Sequence, residues 1–148
     1  MRVHCSFWEW KPLISFGVFI FGTPLKNYKN LRPVYLKEES TIYEKEYQHL
    51  NNYTYTIPNY RDCLRFYVDH KKVIESVSSE KMFVHNGIDL LKCSIEEIMS
   101  ILDTGYDTHN EEEVFGEIHH AYFFDQLGLC IWEENKIVIK IDASTANK

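Results

Sequence analysis

Short runs of aromatic and β-branched residues, separated by polar turns, recur along this chain and favour a fold dominated by sheet. Aromatic residues make up 15% of the sequence, mostly as 10 Tyr and 9 Phe, and such residues suit the half-buried surface of a β-sheet. The clearest runs are 53–57, 63–68, 73–77, 120–124, 128–132 and 137–141. The last three, joined by the turns 125–127 and 133–136, predict a three-stranded meander.

One helix is predicted over residues 95–102. Apolar residues stand at positions 95, 98, 99, 101 and 102, a spacing that places them on one face of a helix. Ser94 and Glu97 form an S-x-x-E capping box, in which the hydroxyl and the carboxylate satisfy free N–H groups of the first turn. Just upstream, Asn86-Gly87 predicts a tight hairpin between two short strands.

The two halves of the chain share this order of elements. The run 63–68 aligns with 128–132, and the charged turns 69–72 and 133–136 then coincide. Pro24 to Leu31 takes the place of the helix in the first half. These patterns predict an α+β fold, an antiparallel sheet-rich single domain over 1–148 with one or two short helices. We further hypothesise two duplicated strand–helix–meander units, 13–78 and 82–142, although unrelated α+β proteins also show similar strand–turn–strand patterns.

The acidity of the chain is concentrated in its second half. The formal net charge is -6. Residues 1–80 hold 11 basic and 9 acidic side chains, a balance of +2, whereas residues 81–148 hold 5 and 13, a balance of −8. Because nucleic acids bind proteins through Lys and Arg, we expect no direct nucleic-acid binding and favour a basic partner. A charge that serves only solubility is the alternative.

The segment 103–117 contains six carboxylates and no Lys or Arg. We expect it to be a polar loop between the helix and the meander. Such clustering favours a docking surface for a cationic partner, with Tyr106 as an aromatic anchor and Phe115 expected to pack in the core. A solvated loop is the alternative. The predicted partner-binding residues are Asp103, Tyr106, Asp107, Glu111, Glu112, Glu113 and Glu117.

The sequence contains no motif that specifies a reaction. It lacks a G-x-S-x-G nucleophile elbow and a glycine-rich phosphate loop. The four cysteines, Cys5, Cys63, Cys93 and Cys130, are too widely spaced for a C-x-x-C metal pair. We therefore predict neither enzymatic activity nor a cofactor, and expect reduced cysteines that pack as small apolar residues.

One histidine pair supports an alternative function, a small metal-dependent hydrolase. Glu117, His119 and His120 lie close together in the sequence, and these residue types can ligate zinc. Neighbouring residues of a strand point to opposite faces, however, so His119 and His120 cannot readily share one ion. We therefore expect no metal site there.

A membrane location is not predicted. The apolar run from Leu13 to Phe21 is only nine residues long, whereas a spanning helix needs about 20. It is followed by Gly22-Thr23-Pro24 instead of a small-residue cleavage site. We expect a cytoplasmic protein.

Two stretches of the second half stand out, FVHNGIDLLKCSIEEI, 83–98, and YFFDQLGLCIWEENKI, 122–137. They resemble small cytoplasmic bacterial proteins that are often encoded as immunity proteins of polymorphic or contact-dependent toxin systems. The resemblance rests on the capped helix and on an aromatic strand that leads through Asp125 and Leu127-Gly128 into a second strand. It implies a protein that binds and neutralises a cognate toxin, for which we expect a basic nuclease domain whose cleft is covered by the acidic segment. A structural domain that self-associates through sheet edges is a third hypothesis.

Overall fold

The computed structural model describes residues 6–145, and Cys5 lies outside this range. The strands are β1 (Trp10–Lys11), β2 (Ser15–Phe16), β3 (Phe19–Ile20), β4 (Val34–Tyr35), β5 (Tyr53–Thr56), β6 (Leu64–Val68), β7 (Ile74–Ser79), β8 (Val84–His85), β9 (Ile88–Asp89), β10 (Thr108–Val114), β11 (Glu117–Phe124), β12 (Leu129–Glu134) and β13 (Ile137–Ser144). The one α-helix of this part of the chain is α1 (Ile95–Leu102). Short 3-10 segments span Ser6–Trp8, Leu25–Leu31, Lys37–Glu39, Lys45–Leu50, Pro58–Tyr60, Leu90–Lys92 and Asp125–Leu127.

The main element is an antiparallel sheet of eight strands in the order β10-β11-β12-β13-β7-β6-β5-β4. A three-stranded sheet, β1-β2-β3, and the β8-β9 hairpin accompany it. The predicted α+β, antiparallel sheet-rich fold is therefore confirmed. None of the helices between residues 6 and 145 has the length and apolar character needed to cross a membrane.

The large sheet consists of two four-stranded meanders, β4–β7 and β10–β13, that meet along β7 and β13. At this junction the residues from Ser76 to Ser79 pair with those from Ser144 to Ile141. Each meander carries a register shift in its inner hairpin, after Tyr67 in one and after Trp132 in the other. These two residues coincide when 63–68 is aligned with 128–132. The two meanders thus have matching strand order and irregularities, while the duplication itself stays a prediction.

The core lies between the inward face of the large sheet and the elements that cover it. Phe19 of β3 stacks on Phe66 of β6 with ring centroids 4.7 Å apart. Phe16 of β2 stacks on Phe83 at 4.9 Å. Helix α1 contributes Ile95 and Ile98 to the same cluster. Alternation of buried residues along β6 and β12 reflects the strand period of two, which sends every second side chain into this core.

The local predictions around α1 are confirmed. Ser94 Oγ accepts from the N–H of Glu97 at 3.1 Å, and Glu97 Oε1 accepts from the N–H of Ser94 at 3.1 Å, which completes the capping box. The predicted Asn-Gly turn has positive φ at both residues, 50° at Asn86 and 82° at Gly87, and joins β8 to β9. In the first half, Leu25–Leu31 is a 3-10 segment with a kink at Tyr28 instead of an α-helix.

We expect the substitution Ser94→Ala to lower the free energy of unfolding by about 1 kcal/mol, because it removes the side-chain cap of α1. Urea denaturation measures this change. Ser100→Ala is the matched control, since Ser100 lies on the exposed side of the same helix and alanine is the better helix former there. Equal stability of the Ser94→Ala variant and the native chain would contradict the prediction.

The structure corrects the expected loop over 103–117. Residues Thr108–Val114 form β10, which pairs with β11 at seven positions, from Thr108↔Phe123 to Val114↔Glu117. A two-residue turn joins the strands, with φ of 51° at Phe115 and 83° at Gly116. The prediction failed because β10 is held in the sheet by its backbone pairing with β11, while its side chains are exposed to solvent. Its sequence therefore lacks the alternation of apolar and polar residues by which strands are recognised. Phe115 is at the tip of this hairpin and not in the core, with an exposed fraction of 102%.

Candidate functional site

The site is built on the acidic hairpin, which we define as residues 108–124, comprising β10, its turn and β11. Strand β10 forms one end of the large sheet, and within the described residues its one partner strand is β11. All residues from Thr108 to Glu113 are exposed. The other edge of the β10 backbone therefore offers N–H and C=O groups to solvent or to a partner.

The side chains of β10 divide between the two faces of the sheet. His109, Glu111 and Glu113 alternate with Asn110 and Glu112, because successive residues of a strand point in opposite directions. Glu111 lies opposite His120 on β11, and His120 lies opposite Glu133 on β12. These three residues form one row across the sheet.

Two histidines and a carboxylate converge at the start of that row. His109 Nε2 and His120 Nδ1 are 2.8 Å apart, with the rings stacked at a centroid distance of 5.1 Å. Glu111 Oε1 lies 3.7 Å from His120 Nδ1. One potential ligand atom from each of the three residues lies within 4.8 Å of the others. The group combines donor types that bind divalent transition metals.

Tyr122 and Glu133 support this cluster from the side of the core. The Tyr122 ring stacks on His109 with centroids 4.6 Å apart and an angle of 8° between the planes. Its hydroxyl donates to Glu133 Oε1 at 3.4 Å, and the exposed fraction of Glu133 is 7%. The pKa of Tyr122 is raised to about 12, mainly by burial and to a smaller extent by the negative charge of the nearby Glu133 carboxylate. The phenol therefore stays protonated at neutral pH and keeps its hydrogen bond to Glu133.

An open cleft borders the cluster, with a volume of about 760 Å³. The first residues of α1 form one wall, and side chains of β10, β11 and β12 form the other. Its polar lining includes Glu111, His120, Glu133, Asn135 and Lys136. The histidine–carboxylate cluster thus stands at the edge of a cavity that can admit a small ligand or a side chain of a partner.

The group Glu117, His119 and His120, considered above for a hydrolase, is not assembled. His119 points to the opposite face from His120, where its Nε2 lies 3.4 Å from Glu134 Oε2. Glu117 begins β11 beside the turn and pairs with Val114. Among residues 6–145, the one group of three or more that could hold a metal ion is His109, Glu111 and His120.

The predicted partner-binding residues fall into two sets. Asp103 and Asp107 make local contacts: Asp103 ends α1 with a φ of 54°, and Asp107 Oδ2 accepts from the N–H of Asp125 at 2.7 Å. Tyr106 packs against Tyr122 with ring centroids 5.0 Å apart and keeps an exposed fraction of 41%. The remaining four predicted residues are exposed on the hairpin: Glu111, Glu112, Glu113 and Glu117.

Sequence reasoning missed His109 and Phe115 as surface residues of the site. A signal for both is present in Phe115-Gly116, since a glycine in a two-residue connection is typical of a tight hairpin. Had this turn been recognised, the register would have placed Glu111 opposite His120 and His109 opposite Tyr122.

Comparison of the chain with models of protein families, with curated proteins and with solved structures finds no match.

Proposed function

We propose that this protein acts by binding a basic protein partner along the acidic hairpin, as an immunity protein that neutralises a cognate toxin. One observation carries the proposal: an exposed edge strand bears three consecutive glutamates and is followed, in the turn, by a fully exposed phenylalanine. Such a strand offers backbone hydrogen bonds, charge and an apolar side chain together. These are the elements of recognition by strand addition to a sheet edge.

The charge of the hairpin selects the kind of partner. The hairpin carries four carboxylates, Glu111, Glu112, Glu113 and Glu117, and no Lys or Arg. A surface of one sign attracts a partner of the opposite sign and speeds its association. The same charge disfavours pairing of β10 with a second β10, because the runs Glu111–Glu113 of two copies would be brought together. The hairpin therefore suits a basic partner better than a second copy in this edge-to-edge arrangement.

The tip of the hairpin supplies the apolar part of the surface. Phe115 has an exposed fraction of 102%, and Ile118, on the following strand, has one of 55%. Aromatic side chains that fill a pocket in the partner contribute strongly to binding energy. The expected partner thus has an apolar pocket beside a basic surface.

A basic nuclease domain has the matching chemistry, because its cleft must hold phosphate groups with cationic side chains. Carboxylates on an edge strand can pair with the same cationic side chains and thereby keep nucleic acid out of the cleft. The resemblance of 83–98 and 122–137 to immunity proteins supports this choice of partner. On this proposal the protein itself performs no reaction and acts in the cytoplasm.

The proposal predicts a large kinetic effect of charge reversal on the hairpin. The triple substitution Glu111→Lys, Glu112→Lys and Glu113→Lys should slow association with the partner by at least about tenfold at low salt. The effect should shrink as salt is added, because ions screen exposed charges. Association is measured by surface plasmon resonance with a purified basic nuclease toxin domain that binds the native chain.

The matched control is Glu38→Lys, Glu44→Lys and Glu46→Lys, which changes the net charge equally at three exposed positions of the first half. This control should slow association far less. Equal slowing by both triple variants would mean that net charge alone, and not the position of the glutamates, controls association. Unchanged kinetics of the hairpin variant would contradict the proposed contact. Circular dichroism of each variant verifies that the sheet is intact.

A further inference from the structure

We infer that His109, Glu111 and His120 form a binding site for a divalent transition-metal ion, with zinc as the ion that their donor atoms suit best. Two imidazoles and one carboxylate match the donor set of zinc sites that keep a coordination position open. The inference does not depend on the proposed toxin partner. It requires only the chain itself and the ion.

Two of the three distances between the donor atoms are close to the spacing of ligand atoms around a zinc ion. Zinc–nitrogen bonds of about 2.0–2.1 Å in tetrahedral geometry place two ligand nitrogens about 3.3–3.4 Å apart. Here His109 Nε2 and His120 Nδ1 are 2.8 Å apart, and Glu111 Oε1 is 3.7 Å from His120 Nδ1. The third pair, Glu111 and His109, lies within 4.8 Å. Side-chain rotations that draw these two residues together and replace the hydrogen bond between the imidazoles would bring the three donor atoms around one ion.

The scaffold holds the ligands near this arrangement before the ion arrives. His109 and Glu111 are two residues apart on β10 and so share a face, while His120 projects from the paired strand β11. Stacking on Tyr122 fixes the plane of the His109 ring, and Tyr122 is in turn held by its hydrogen bond to Glu133. Residues that orient metal ligands in this way raise the affinity of a site.

The surrounding charge also favours a cation. Glu113 lies on the same face of β10 as Glu111, and the Glu133 carboxylate stands opposite His120 on β12. Lys136, in the turn between β12 and β13, lines the same cleft, where three carboxylates and no other Lys or Arg accompany it. Carboxylates therefore predominate close to the three ligands.

Three protein ligands leave a fourth position for a tetrahedral ion. Glu111 and His120 both line the cleft between α1 and the sheet, so this position is open to water or to a donor atom of a small ligand. The site thus has room for exchange and is not enclosed in the manner of a structural zinc site.

Zinc titration of the purified chain in competition with a chromophoric chelator tests the inference. We expect one zinc ion per chain. His109→Ala, His120→Ala and Glu111→Gln should each weaken binding by at least about tenfold, the smallest loss expected when even a supporting residue of a metal site is removed.

The structure offers two matched controls on the same strands. His119 and Glu112 neighbour the ligands but point to the opposite face, so His119→Ala and Glu112→Gln should change zinc affinity less than twofold. Absence of zinc binding at about 100 μM in the native chain would overturn the inference. Binding that persists in the three ligand variants, or is lost equally in the two controls, would also overturn it. Circular dichroism separates loss of a ligand from loss of the fold.

Discussion

The substitution Phe66→Ala is expected to lower the free energy of unfolding by about 3–5 kcal/mol. Phe66 is completely buried and stacks on Phe19, with ring centroids 4.7 Å apart, and on Tyr55, at 5.7 Å. It therefore joins the three-stranded sheet to the large sheet. Removal of the ring leaves a cavity that rigid neighbouring strands cannot fill. Urea denaturation followed by tryptophan fluorescence measures the loss.

Phe115→Ala is the matched control because it removes the same ring from the surface. The Phe115 side chain is fully exposed at the hairpin tip, so its loss should alter stability by no more than about 0.5 kcal/mol. A cost below about 1 kcal/mol for Phe66→Ala would mean that the two sheets do not pack through this residue.

The substitution Gly128→Ala is expected to cost about 2–5 kcal/mol, from an unfavourable backbone conformation and a steric clash together. Gly128 has a φ of 60°, and a Cβ atom placed there would lie 2.1 Å from the carbonyl oxygen of Ser144. The same two residues are joined by a hydrogen bond from the N–H of Ser144 to the carbonyl of Gly128, at 2.7 Å. A side chain at position 128 therefore forces the end of β13 away from the start of β12. Thermal and urea unfolding measure the effect.

Gly116→Ala separates the two causes. Gly116 also has a positive φ, 83°, but a Cβ atom there would have no neighbour within 4 Å. This variant should lose only the conformational part, about 1–2 kcal/mol. Equal losses at positions 116 and 128 would show that the close approach of Ser144 contributes nothing.

Local patterns allowed much of the fold to be predicted. The capping box defined the first residue of α1, and apolar alternation identified β6, β12 and β13 within a few residues. These signals depend on neighbouring residues, so the sequence displays them directly. The order of strands in the sheet was not predicted, because the pairing of β7 with β13 depends on residues far apart in the chain.

The site was harder to predict than the fold. The acidic residues were recognised as a surface, but their strand was not, since β10 buries no apolar face. His109 and Glu111 approach His120 only through the hairpin register. A histidine–carboxylate cluster formed across two strands leaves no fixed spacing in the sequence, unlike a pair of ligands on one helix.

The junction of β7 and β13 has a consequence for how the chain assembles during synthesis. Strand β13 is made after the other described strands, yet it lies in the middle of the finished sheet. At about 5–20 residues per second, translation leaves one edge of β7 without its partner for several seconds. Three of the six residues of β7 are serines, at positions 76, 78 and 79. Serines in these positions reduce the apolar surface that β7 presents beside its temporarily open edge, which gives a reason for polar residues at the centre of the sheet.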